Sequence, residues 1–321
     1  MVALAAGREA FSDYSHKYSP KKFTRPQLFA CLVLKEHQKK DYRGIAQLLK
    51  DSSDLRQVIG LEIVPHYTTL QKASRRLLKA SHVQRLLSKT VEQVRRTRKT
   101  VSHAAVDSSG FDAHHASRYF IWRKDNQKKK GDKRPKNRVS YKKYGKLMVI
   151  VCCMSHAILS AVASAGPTPD IDQLGGVMSR LPEAIRIERM VADAGFDSAS
   201  NHKLLREDYG IRSTIPPEHG RPPKDPNTLP SDKYRRRMKT HFNRRAYRYR
   251  AQVETVFSMM KRNLGPALSA RSHHGRCREM MLRVLTHNIM IALFGVFYRA
   301  FLTPFFHCVT GKVHSMNIAS P

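Results

Sequence analysis

Apolar residues recur at helical spacing through the first third of the chain. Leu28, Leu32 and Leu34 begin an apolar stripe, which residues 42–51 continue. A further segment, residues 65–80, opens with a proline and two threonines, which are typical of the start of a helix. The pattern therefore predicts that residues 26–99 are helical.

The pattern changes after residue 100 to short apolar runs separated by polar turns. Two of these runs are separated by Ser155 and His156 alone, which indicates a tight antiparallel hairpin. Later runs alternate with helical segments, so we predict a mixed α/β sheet. The predicted strands are 103–107, 147–154, 157–165 and 188–193, and the predicted helices between them are 170–181 and 198–208.

Two segments lack a regular pattern and are predicted to be loops. Residues 123–146 contain twelve Lys or Arg side chains, and residues 216–235 are rich in proline and charge. Both fit solvated loops, and both also fit segments that follow DNA phosphates. Residues 284–306 are the most apolar part of the chain, but their longest unbroken apolar run is about half of a membrane span. We predict a buried C-terminal helix there.

The charge balance changes this picture from a generic α/β protein to one with a polyanionic partner. The chain has 59 Lys and Arg against 25 Asp and Glu, a net charge of +34. The positive charge is spread from residue 17 to residue 278, which favours nucleic acid over an anionic membrane. Five cysteines without CxxC spacing and the absence of a recognisable signal peptide fit a reducing cytoplasm.

One acidic residue stands out within the most basic part of the chain. Between positions 233 and 278 there are fourteen Lys or Arg and a single acid, Glu254. Residues 244–264 lack Pro and Gly and have apolar residues at helical spacing. At about 100° per residue, Tyr247, Arg250 and Lys261 lie on the same stripe as Glu254. The bland interpretation is that the cations only neutralise Glu254, and only Arg250 is within easy reach for that.

Two aspartates are predicted to end strands. Asp107 precedes Ser-Ser-Gly and Asp193 precedes Ala-Gly, so each carboxylate is expected to point off the sheet edge as the chain turns away. The alternative is that each caps an ordinary turn. Asp197 is expected to cap the helix that follows it, and Asp170 is expected to open the helix at 170–181.

These motifs together resemble a known family. The spacing Tyr247-x2-Arg250-x3-Glu254-x6-Lys261 is similar to the YREK signature of DDE transposases of bacterial insertion sequences. The runs VDSSGF (106–111) and VADAGFDS (191–198) resemble the two aspartate motifs of that family, and GPTPDIDQL (166–174) also has its character. The resemblance covers residues 100–295, and the helical N-terminus more loosely.

The resemblance implies an RNase H-like α/β fold, a mixed sheet flanked by helices, and a DNA-cutting function. Asp107, Asp193 and Glu254 would be the catalytic residues and would hold two Mg²⁺ ions, for which Mn²⁺ can substitute. Tyr247, Arg250 and Lys261 would contact DNA. The reaction would be hydrolysis at the transposon inverted-repeat ends, followed by joining of the 3′-hydroxyl to target DNA.

The resemblance also sets the expected organisation and partners. Residues 1–99 would be a helical DNA-binding region, residues 100–300 the catalytic domain, and residues 301–321 a C-terminal tail. Within residues 1–99, the residue pattern itself fits a helix-turn-helix and equally fits two ordinary packed helices with a solvated basic face. We expect a homodimer in the synaptic complex, a cytoplasmic, nucleoid-associated bacterial protein, no membrane, and no ATP, since no phosphate-binding loop is present. Two alternatives are a nuclease of the same fold without strand transfer and a catalytically silent DNA-binding relic.

Overall fold

The computed structural model describes residues 1–95, 99–113, 144–217 and 229–310, with side chains as far as residue 294. The helices in these ranges are α1 (Val2–Ala10), α2 (Arg25–His37), α3 (Tyr42–Asp51), α4 (Ser53–Ile59), α5 (Tyr67–Leu77), α6 (Ala80–Val94), α7 (Leu174–Met178), α8 (Ala199–Lys203), α9 (Lys233–Thr240), α10 (Arg244–Tyr247), α11 (Ala251–Leu264) and α12 (His273–Thr310). The strands are β1 (Thr100–Val101), β2 (Ala104–Ala113), β3 (Tyr144–Cys152), β4 (Ile158–Gly166), β5 (Arg186–Ile187), β6 (Arg189–Ala192), β7 (Arg212–Thr214) and β8 (Ala267–Leu268).

The N-terminal helices form where the sequence pattern predicts them. Thr24 caps α2 through a reciprocal pair of hydrogen bonds with Gln27, and the Asp41 carboxylate accepts from the backbone N–H of Gly44 at the start of α3. A further short helix, α4, ends at Gly60, whose φ of 74° belongs to the left-handed region that glycine adopts freely. The helical prediction for residues 26–99 is thus confirmed for the described residues, and DNA binding by this region stays a prediction.

The main sheet has the strand order β4-β3-β2-β6-β7. β2, β3 and β4 pair antiparallel, as the predicted hairpin requires, whereas β6 is parallel to β2 and β7 is parallel to β6. α11 packs on β2 and β3, and α12 packs on β3 and β4. This is the mixed, helix-flanked sheet that the sequence predicts.

The prediction that β2 ends at Asp107 is wrong. The strand continues to Ala113, and its pairing with β3 runs without interruption from Ala104 opposite Cys152 to Phe111 opposite Gly145. Paired backbone groups in this long ladder outweigh the turn preference of Ser-Ser-Gly. Gly110 suits the ladder, because a Cβ there would lie 3.1 Å from the ring of Tyr144.

Two further segments differ from their predicted structure. The helix predicted at 170–181 shrinks to α7, because residues 171–173 form a turn and Asp170 pairs with Lys146 at 2.7 Å instead of opening a helix. The loop predicted at 216–235 ends earlier, since Asp232 caps α9. Most of the loop predicted at 123–146 lies outside the described residues, and its last three residues begin β3.

The C-terminal helix is longer than predicted. α12 runs to Thr310, ten residues into the segment predicted as a tail. Its first half is buried at Leu285 and Ile289, whereas Phe294 is exposed. Among the described residues, no helix combines the length and apolar character needed to cross a bilayer.

The N-terminal helices share one apolar core with the sheet. α6 packs against β4 and α12, and α2 packs against α11 and α12. Leu86 of α6, Ile158 of β4 and Leu285 of α12 are buried in the same continuous cluster. Each such side chain contributes about 1.5–3 kcal/mol on burial. Residues 1–95 are therefore bound to the sheet by extensive apolar contact.

A buried ion pair crosses this shared interface. The Nε of Arg283 donates to Oε1 of Glu36 at 2.9 Å, and both side chains are 4% exposed. The same guanidinium donates to the carbonyl oxygens of Gly265 and Ala267, both at 2.7 Å, and to Glu279 at 3.0 Å. Arg283 therefore fixes α2 against the turn that follows α11.

Removal of the Glu36 carboxylate is expected to destabilise the whole protein. A buried charge left without its partner costs about 3–5 kcal/mol, and we expect the lower end for Glu36→Ala because Glu279 still contacts Arg283. The measurement is the free energy of unfolding in urea. Glu92→Ala is the control, since Glu92 is 52% exposed and its pair with Lys89 is worth less than about 1 kcal/mol. Equal losses in the two variants would contradict this prediction.

Candidate active site

Sheet pairing brings the two predicted aspartates side by side. β2 and β6 are parallel, and their last paired residues are Val106 and Ala192. The next position on each chain is Asp107 and Asp193, so both carboxylates emerge at the same point of the sheet. Asp193 follows the end of β6, as predicted, and its Oδ1 accepts from the backbone N–H of Gly195 at 2.5 Å. Asp107 lies within β2 rather than at its end.

The third acid reaches this point from a helix. Glu254 lies in the first turn of α11, which packs on β2 with Val253, Val256 and Phe257 buried. The segment 244–264 is helical as predicted, but a 3-10 turn at Arg248–Arg250 interrupts it before α11. The structure thus gathers the three predicted catalytic acids, which are far apart in sequence, in one place.

Arg250 lies among the three carboxylates. Its Nη1 donates to Oε1 of Glu254 at 2.6 Å, and its Nη2 donates to Oδ2 of Asp193 at 3.2 Å. The same Nη2 is 3.6 Å from Oδ2 of Asp107. One guanidinium therefore contacts all three acids. In this structure Arg250 neutralises the acids, and its contact with DNA stays a prediction.

The three acids differ in exposure, and Asp107 is the most buried of them. The side chain of Asp107 is 18% exposed, that of Asp193 42% and that of Glu254 56%. Burial raises the pKa of Asp107 to about 6, although the backbone N–H of Ser108 and the charge of Arg250 act in the opposite direction. The negative charges of Asp193 and Asp170 add to the upward shift. Burial therefore outweighs the contact with Arg250 in setting the pKa of Asp107.

The donor atoms suit a hard divalent cation, but in this structure Arg250 contacts all three acids. Carboxylate oxygens are the ligands that Mg²⁺ and Mn²⁺ prefer, and here three of them surround a single cationic group. Within the described ranges, no cluster of three or more His, Cys, Asp or Glu side chains is arranged to hold a metal ion. The guanidinium has to leave before these carboxylates can share an ion.

Lys261 and Tyr247 lie on either side of the acids. The Nζ of Lys261 donates to Oγ of Ser109 at 2.8 Å and lies 5.3 Å from the ring centre of Phe111. The ring of Tyr247 packs against Phe242 at 5.2 Å, and burial raises the pKa of its hydroxyl. Because Lys261 bonds to a neutral hydroxyl, its charge is not neutralised by Glu254.

A buried network holds the loop that carries Asp193. Nε and Nη2 of Arg235 donate to Oδ2 of Asp197 at 3.0 and 2.8 Å, and His202 lies 3.2 Å from the other oxygen. The prediction that Asp197 caps the next helix is wrong, because Ser198 caps it and Asp197 faces the interior. Sequence reasoning missed Arg235, whose partner is 38 positions away.

Asp107 and Glu254 open into a cleft of about 570 Å³. Its wall combines the carboxylates of Asp107 and Glu254 with hydroxyls and cations. The other residues that line it are Ser108, Ser109, Phe257, Ser258, Lys261, Arg262 and Pro266. Ser109 and Ser258 were not predicted, and only their position next to the acids on β2 and α11 could have indicated them.

The chain is similar in structure to two transposases but has no match among curated protein sequences. Among solved structures, the chain is similar to the piggyBac transposase in a synaptic complex with hairpin DNA, with 10% identity, 90% of this chain and 72% of that chain covered, and a TM-score of 0.43. It is also similar to a pre-cleavage Mos1 transpososome, with 11% identity, coverage of 88% and 82%, and a TM-score of 0.20. At these scores neither alignment bears on function.

The family comparison is decisive. The model of the transposase DDE domain matches residues 98–289, which is more than half of the chain and includes all three acids and the sheet that carries them. The chain belongs to the transposase DDE domain family.

Proposed function

We propose that this protein is a DNA transposase that cuts DNA at transposon inverted-repeat ends and joins the freed 3′-hydroxyl to target DNA. The observation that carries the proposal is the convergence of Asp107, Asp193 and Glu254 on one cationic centre within a transposase DDE domain. We further propose a bacterial insertion sequence as its source, action as a homodimer on the nucleoid in the cytoplasm, and no requirement for ATP.

In this proposal Asp107, Asp193 and Glu254 would hold two divalent ions, Mg²⁺ or Mn²⁺. Bound there, such ions activate a water or hydroxyl nucleophile and stabilise the leaving oxygen at phosphorus. Asp107 is the residue best placed to be shared, since it lies beside Asp193 in the sheet, lines the cleft together with Glu254 and is the most buried of the three. Asp193 and Glu254 are more exposed.

Arg250, Lys261 and Tyr247 would contact the DNA. Arg250 has to leave the carboxylates before they act as metal ligands. Its guanidinium would then bind a DNA phosphate, whose geometry matches its forked donors. Lys261 lines the cleft, where its Nζ donates to the neutral hydroxyl of Ser109, and it supplies a point charge. Tyr247 offers a ring and a hydroxyl at the margin of the acids. These cations would hold the phosphodiester against the site while the acids act on it.

The acids are tested by removal of one charge at a time. Even the loss of a group that supports a metal ligand costs about 10–100-fold, so we expect Asp107→Asn, Asp193→Asn and Glu254→Gln each to lower cleavage of labelled transposon-end DNA by more than about 100-fold. DNA binding should persist. Asp112→Asn is the control, because Asp112 lies on the same strand with the opposite orientation and is exposed.

If the three variants cut as well as the wild type, the proposed site is wrong. The same assay separates the alternatives. Cleavage without joined products would favour a nuclease that lacks strand transfer. Binding without any cleavage, whatever divalent ion is added, would favour a silent relic.

The raised pKa of Asp107 leads to a prediction about stability. A carboxyl group whose pKa rises from 3.8 to about 6 on folding destabilises the fold as the pH rises through that range. Asp107→Asn removes the buried charge, so we expect it to stabilise the metal-free protein by about 1–3 kcal/mol at about pH 8 and to give almost no gain at about pH 4. Thermal unfolding at the two pH values measures the difference. A gain that is independent of pH would count against a charged Asp107.

The DNA contact of Lys261 is tested by salt dependence. We expect Lys261→Ala to weaken binding of transposon-end DNA and to reduce the slope of log K against log salt by about 0.9, the value for one lost phosphate contact. Fluorescence anisotropy at several salt concentrations gives both quantities. Lys203→Ala, which removes an exposed lysine that contacts Glu207, serves as the control. An unchanged slope would exclude the proposed contact.

A further inference from the structure

A second groove begins where the active-site cleft ends. It has a volume of about 490 Å³ and lies between the N-terminal helices and the first turns of α12. Pro266 lines the cleft and Ser269 lines the groove, three positions further along the chain. Lys39 lines the groove, and its Nζ donates to the carbonyl oxygen of Arg262, which lines the cleft, at 3.0 Å. The two cavities therefore adjoin.

The groove carries uncompensated positive charge. Five cations line it, Lys35, Lys39, Lys40, Arg75 and Arg278. Its three acids already have partners, and one of them, Glu36, also pairs with Lys35 of the groove at 3.3 Å. Glu36 and Glu279 accept from Arg283, and Asp41 caps α3. Within the described part of the chain, Lys40, Arg75 and Arg278 have no acidic partner.

We propose that this groove binds the phosphodiester backbone of the duplex DNA that leads to the scissile phosphate, so that one strand passes from the acids over Lys261 and Arg262 to the N-terminal helices. The inference rests on the proposed function and names the surface that holds its substrate. A second copy of this chain fits poorly, because its own surface is strongly positive, with a net charge of +34. A polyanion matches both the charge and the continuity with the cleft.

The proposal assigns different roles to adjacent residues of the same helix. On α5, Arg75 faces the groove, whereas Arg76 lines a separate cavity with His82. On α12, Arg278 lines the groove and Arg276 does not. These neighbours have the same charge, so they provide matched controls for the effect of net charge alone.

The test compares Arg75→Gln with Arg76→Gln, and Arg278→Gln with Arg276→Gln, in the full chain. The probe is a fluorescein-labelled duplex of random sequence, titrated at several salt concentrations. Loss of one phosphate contact lowers the salt slope by about 0.9, and we expect this for each groove variant and not for its neighbour. The combined variant Arg75→Gln with Arg278→Gln should lose about twice that slope. Thermal unfolding checks that each variant is folded. Because the two groove positions lie on different helices, the test can still be made at one position if the variant at the other does not fold.

If the salt slope falls equally in both variants of each pair, the proposal is wrong, because DNA is then attracted by the overall charge and not bound in the groove. Unchanged slopes in both groove variants would overturn it as well. Either result leaves the proposed function intact as long as cleavage still depends on Asp107, Asp193 and Glu254. Failure of the wild-type protein to cut DNA under any divalent ion would instead count against the proposed function itself.

Discussion

The charge balance at three converging carboxylates governs the rest of this structure. The chain carries a net charge of +34, yet the carboxylates of Asp107, Asp193 and Glu254 meet around one cation. Burial raises the pKa of Asp107 to about 6, and the negative charges of Asp193 and Asp170 add a smaller contribution in the same direction. Arg250 relieves this repulsion through contacts to all three acids. Three acids around one cation, within a strongly basic protein, are what the proposed metal site requires.

The scaffold keeps these acids together at a cost that other contacts offset. The parallel register of β2 and β6 fixes Asp107 next to Asp193, and no rotation of either side chain can separate their backbones. The segment after Asp193 is a short 3-10 turn, Ala194–Phe196, and it is held by the pair between the buried Asp197 and the partly exposed Arg235. Paired and hydrogen-bonded charges of this kind are tolerated inside a protein because each polar atom has a partner.

Much of the site could be predicted from sequence because its signals are local. The stripe formed by Arg250 and Glu254 follows from helical periodicity, and the alternation of apolar runs with helices predicts a mixed sheet. The continuation of β2 past Asp107 could not be predicted, since Ser-Ser-Gly favours a turn until β3 provides a ladder for it.

Contacts between distant segments could not be predicted from the sequence either. Lys261 and Ser109 are 152 positions apart, and Arg235 and Asp197 are 38 apart. Periodicity places each side chain on a face of its own element, but only the packed fold decides which face it meets. The contact of Arg250 with Asp193 illustrates the limit. Its partner on the same helix, Glu254, follows from i, i+4 spacing, whereas its partner after β6 does not.

The N-terminal helices also support the active site, through contacts that reach the strand carrying Asp107. The ring of Phe111, four positions after Asp107 on β2, contacts the charges of both Lys261 and Arg283, at 5.3 and 5.7 Å from its centre. Arg283 in turn binds Glu36 of α2. A continuous set of packed and hydrogen-bonded groups thus links α2 to the strand that carries Asp107. DNA held against the N-terminal helices would be fixed relative to the acids by this connection, since both surfaces are parts of one packed body.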